Sequence, residues 1–91
     1  MQIWGTGLIG KRVFKKLQQL GLSPIQWVDI HNSSEMKFLY NAPIKHYQED
    51  ISWSKFFTFI CVGDAKAKTK IEAYLMTKGL PFSQKHWCFL G

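Results

Sequence analysis

A change of hydrophobic period within the first 30 residues constrains this chain more than any other feature. "QIWG" (2–5) is a short apolar run ending in glycine and reads as a strand. From Leu8 onward the spacing becomes helical. Leu8, Ile9, Val13, Phe14, Leu17 and Leu20 fall on one face, and Lys11, Arg12, Lys15, Lys16 and Gln19 on the other. Gly21 supplies a stop signal, and "SPIQWVDI" (23–30), opened by Pro24 and rich in β-forming residues, reads as a second strand. Strand, turn, helix, turn and strand make a βαβ unit, whose crossover is right-handed in nearly all proteins.

The remainder repeats this alternation less regularly. "HNSSEMKFLYNAP" (31–43) holds turn formers followed by a segment that fits one or two helical turns, and "PIKHY" (43–47) fits a short third strand. "QEDISWSKF" (48–56) reads as a connecting helical turn. "FFTFICVG" (56–63) is continuously apolar, the type of strand that is buried on both faces of a parallel sheet. A second helix is expected over 64–80, with Asp64 as its cap, Ala67, Ile71, Tyr74 and Leu75 inward, and Gly79 as its stop. "KHWCFL" (85–90) is the last strand. With 91 residues, 46% of them apolar and including four Trp and seven Phe, the chain has enough material for one core. The expectation is a single α/β domain over 1–91 in three layers. Its parallel sheet has about five strands in the order 3-2-1-4-5, with helices on both faces.

Charge and cysteines narrow the classes of partner. Twelve basic residues against six acidic ones leave +6, which favours polyanionic partners such as nucleic acid, nucleotides or acidic membranes. The lysines alternate with apolar residues along both helices and form no tract, so they read as solvated faces rather than a nucleic-acid surface. Cys61 and Cys88 sit inside apolar runs and read as buried free thiols, which fits a reducing cytoplasm. No run approaches the length of a membrane span. His31, His46 and His86 share no metal-ligand spacing with one another or with the cysteines, and no catalytic constellation emerges.

The turn itself, "GTGLIG" (5–10), has the spacing Gly-x-Gly-x-x-Gly after a strand and at the head of a helix. Gly5 permits the tight turn, Gly7 lets backbone approach a pyrophosphate, and Gly10 lets helix and strand pack closely. The amides of Thr6, Leu8 and Ile9 complete the expected phosphate cradle at the helix start. Asp29 follows the last glycine by 19 residues, placed to accept hydrogen bonds from ribose hydroxyls and to repel a 2′-phosphate, which favours NAD over NADP. His31 and Gly63 would line the same crevice at the carboxyl ends of the strands, and Lys66 stands near a helix start where it could reach a phosphate. A plainer reading stays open: a tight strand-to-helix turn needs glycine anyway, Asp29 ends a strand, and Lys66 is solvated.

"IWGTGLIGKRVFKKLQQLGLSPIQWVDI", "NAPIKHYQED" and "FTFICVGDAKAKTKIEAYLMTKGLPFSQKHWCFLG" together resemble the small Rossmann-like modules attached to sugar-nucleotide-modifying enzymes and glycosyltransferases. The resemblance runs from Ile3 to Leu90. Its counterparts are the three glycines, Val28-Asp29, Pro43-Ile44, Val62-Gly63, and Leu75 with Gly79-Leu80. Asn41-Ala42 departs from the pattern, where a glycine usually precedes the Pro-Ile pair. The resemblance implies a module that binds NAD(H) or a nucleotide-sugar and is not a complete enzyme, the chemistry coming from a partner catalytic domain or chain. An interaction or homodimerisation unit that keeps only the fold is the alternative.

Overall fold

A computed structural model describes all residues except 31–36, 50, 54, 81–85 and 91. In chain order the elements are β1 (Gln2–Trp4), α1 (Leu8–Gln19), β2 (Gln26–Asp29), β3 (Phe38–Leu39), β4 (Ala42–His46), β5 (Thr58–Ile60), α2 (Ala65–Thr77) and β6 (Trp87–Phe89). They build one six-stranded sheet in the order β3-β4-β2-β1-β5-β6. The five strands from β4 to β6 run parallel to one another. None of the helices among the described residues is long and apolar enough to cross a membrane.

The sheet is mixed, which corrects the wholly parallel arrangement. Phe38 and Leu39 form not a helical turn but a strand antiparallel to β4, with Leu39 opposite Ala42. Tyr40 and Asn41 make the two-residue turn between them, with φ of 50° and 65°. Such turns favour Asn-Gly, and Tyr at the first position carries no hairpin signal. Tertiary contacts offset its strain: the Tyr40 ring stands 5.6 Å from Phe14 and 6.2 Å from Trp27, with the Lys15 ammonium 5.3 Å from its centroid. Trp27 Nε1 also donates to the Leu39 carbonyl at 2.8 Å, tying the hairpin to the sheet.

Residues along a strand alternate between faces, and the two cores divide accordingly. Ile3, Trp27 and Cys61 pack with Phe14 of α1, whose ring stacks on Trp27 at 4.9 Å. Trp4, Val28 and Ile60 pack with Ile71 and Leu75 of α2 on the opposite face. The layers are therefore helix, sheet, helix. Leu8 and Leu20, expected on the inner face of α1, are each 64% exposed. They stand at the first helical position and the carboxyl-terminal cap, where the backbone no longer carries the apolar stripe toward the sheet.

Both helices end as the glycines predict. Gly21 (φ 80°) and Gly79 (φ 74°) are left-handed. Leu22 and Leu80 donate back to the carbonyls of Leu17 and Leu75, closing Schellman motifs. At the amino ends of the strands, three buried polar side chains in register satisfy one another across β2, β1 and β5. Gln26 Nε2 donates to Gln2 Oε1 at 2.6 Å, and Gln2 Nε2 donates to Thr58 Oγ1 at 2.9 Å.

Candidate functional site

The glycine turn joins β1 to α1 at the carboxyl end of the central strand. Its three glycines stand in different environments. Gly5 has φ +118°, and a Cβ there would lie 2.6 Å from the Cys61 carbonyl oxygen. A Cβ on Gly10 would lie 2.0 Å from the Gly5 carbonyl oxygen and 3.2 Å from the Trp27 ring. Both positions admit only glycine, because backbone blocks any side chain. Gly7 differs: its φ is −78°, and a Cβ would meet nothing within 4 Å. Folding makes no demand for glycine at Gly7.

In front of Gly7 lies a cleft of about 660 Å³. Gly5, Thr6, Gly7, Leu8, Ile9, Asp29 and Gly63 all line it, so the structure brings together seven of the ten residues singled out from the sequence. Gly10 is buried beneath the turn and helps to shape it. His31 falls outside the described residues. Gly63 is exposed, and a Cβ there would only touch Ile9 Cδ1 at 3.4 Å, so packing does not require glycine there either. Thr6 Oγ1 donates to Asp29 Oδ2 at 2.7 Å, linking the turn to the end of β2.

The two helix starts also differ. Asp64 caps α2, its side chain accepting from the Lys66 amide at 3.3 Å. Gly7 has no side chain with which to cap α1, and the first bonded amide of that helix is Lys11, donating to the Gly7 carbonyl at 3.0 Å. The amides before it sit at the positive end of the helix dipole, beside the cleft. No acid lies in the first turn of α1 to oppose an anion.

A second cleft of about 610 Å³ adjoins the first along α2, and Trp4, Ile30, Asp64, Ala67 and Ile71 line both. Lys66 faces this second cleft together with Lys70, Tyr47 and Tyr74. Tyr47 and Tyr74 carried no signal as site residues, since an aromatic on a strand end or a helix stripe reads first as core. The rings are core neighbours as well: the Tyr74 hydroxyl donates to the Tyr47 carbonyl at 3.2 Å, and the two centroids are 4.9 Å apart.

The thiols are poorly suited to nucleophilic chemistry. Burial, with a smaller repulsion from Cys88, pushes the Cys61 thiol up to about 12, and burial raises Cys88 as well. Among the described residues, no three His, Cys, Asp or Glu side chains gather as metal ligands. Compared with known proteins, the chain matches no family model, no curated protein and no solved structure.

Proposed function

We propose that this chain is a Rossmann-like module that binds a nucleotide, NAD(H) or a nucleotide-sugar, through the glycine turn. In this reading it serves sugar or polysaccharide metabolism beside a catalytic partner and works in the cytoplasm, where its free thiols stay reduced. The observation that carries the reading is Gly7. Two glycines of the turn are explained by internal packing, whereas the third faces only the open cleft. A residue without a side chain there lets a phosphate approach the uncapped amides of α1. Asp29, held by Thr6 at the rim of the same cleft, is placed to receive ribose hydroxyls.

The test is a titration of isotope-labelled protein with NAD, NADP and a UDP-sugar, following backbone amide shifts. Shifts concentrated on Gly5 to Gly10 and Asp29 are expected, with NAD preferred over NADP. An unchanged spectrum at millimolar ligand would reduce the turn to a corner of the fold.

A second reading, an interaction module, draws on the sheet edge. Phe38 lies 64% exposed on the outer strand β3, where unpaired backbone can recruit another chain. Concentration-dependent self-association without any nucleotide response would favour it.

A further inference from the structure

Trp4, which lines both clefts, carries an unpaired donor. Trp4 is 1% exposed, and its Nε1 meets no acceptor among the described residues. The other two fully buried tryptophans do not share this condition, since Trp27 donates to the Leu39 carbonyl and Trp87 to the Leu80 carbonyl. Leaving a buried N–H unpaired forfeits its hydration without return, so a position that retains one invites an explanation. Phenylalanine would fill much of the same core without the N–H. Trp4 ends β1, directly before Gly5, and lines both the glycine-turn cleft and the α2 cleft.

We propose that Trp4 contacts the base of the bound nucleotide, its Nε1–H donating to an acceptor of a nucleobase seated in the α2 cleft, a ring nitrogen of a purine or a carbonyl oxygen of a pyrimidine. This rests on the nucleotide-binding reading above and adds the direction in which the ligand lies. With the phosphates at the glycine turn, the base turns past Trp4 toward Tyr47 and Tyr74. The half-buried rings of these residues are centred 5.8 and 6.2 Å from the indole and face the same cleft. In this reading the base packs against these rings and meets the indole N–H as one of them gives way. The lining is largely apolar, which suits a flat heterocycle, and its charged members are Asp64, Lys66 and Lys70. The two lysines, one helical turn apart, leave it net positive beside a ligand that carries phosphate.

The experiment follows the indole N–H resonances of the labelled chain while UDP, ADP and inorganic pyrophosphate are added separately. The expected result is that either nucleoside diphosphate moves the Trp4 indole resonance downfield together with the amides of Gly5 to Gly10, while pyrophosphate moves only the amides. Trp4→Phe is expected to lower nucleoside diphosphate affinity roughly tenfold, the worth of one hydrogen bond, and to leave pyrophosphate affinity unchanged. If that variant fails to fold, the wild-type indole shift decides alone. Amide shifts with an unmoved Trp4 indole would overturn this inference and leave the nucleotide reading standing. Amides that respond to none of the three probes would overturn both.

Discussion

Thr6 Oγ1 lies 2.7 Å from Asp29 Oδ2, a bond that spans 23 residues of sequence and joins the glycine turn to the end of β2. It holds the carboxylate at the rim of the cleft and limits how the turn can open. Thr6→Val keeps the shape and removes the donor. It is expected to cost about 0.5–1.5 kcal/mol in urea unfolding. Asp29→Ala is expected to leave the sheet folded and to weaken NAD binding, measured by calorimetry. Equal NAD affinity in the wild type and this variant would remove Asp29 from the site.

Alanine at Gly10 and at Gly7 separates folding from binding within one motif. Gly10→Ala places a methyl 2.0 Å from the Gly5 carbonyl oxygen, so backbone must move. The expected loss is about 3 kcal/mol or more, enough to unfold much of a small domain. Gly7→Ala meets no atom within 4 Å. Its stability should change by no more than about 1 kcal/mol, the scale of a helix-cap replacement, while nucleotide affinity falls at least about tenfold, a difference of 1.4 kcal/mol. Unchanged affinity in Gly7→Ala would mean that no phosphate comes close to the turn.

Asp64 acts as a helix cap, and its removal should show in stability. Asp64→Ala releases the Lys66 amide at the start of α2. Thermal or urea unfolding should register a loss of about 1 kcal/mol. Asp64→Asn, which keeps an acceptor, should recover most of it.

Cys61 links stability to alkaline pH. Its thiol is raised from an ordinary 9.0 to about 12 by burial, so the unfolded chain gives up that proton first. Between those values the native state binds more protons than the unfolded state, and stability therefore falls as pH rises. Below about 9 this contribution is fully present and flat. Urea midpoints measured from pH 8 to 11 should decline in the wild type and decline less in Cys61→Ala. In the native protein, Cys61 should also react slowly with a disulfide reagent at neutral pH, because almost no thiolate is available.

The parts of the fold that were legible in the sequence rest on local chemistry. The period of α1, the left-handed stops at Gly21 and Gly79 and the Asp64 cap depend on residues within a turn or two of one another. So did the tight corner at Gly5. The hairpin of β3 and β4 did not, because Tyr40 occupies a left-handed turn position that Phe14 and Trp27 stabilise from elsewhere in the chain. Leu8 and Leu20 fit the helical period and still face outward, since periodicity assigns a face but not how far the sheet extends beneath it.

The sequence by itself determined the α/β class, the two helices with their stops, the mainly parallel character of the sheet and the grouping of the glycine turn with Asp29 and Gly63. Periodicity, turn chemistry and crossover handedness are enough for those. Only the tertiary structure separated Gly7 from Gly5 and Gly10, since the three are identical in sequence and differ only in what a Cβ would strike. It alone exposed the unpaired Trp4 N–H and the aromatic cleft beside it, because whether a buried donor finds an acceptor depends on partners far away in the chain.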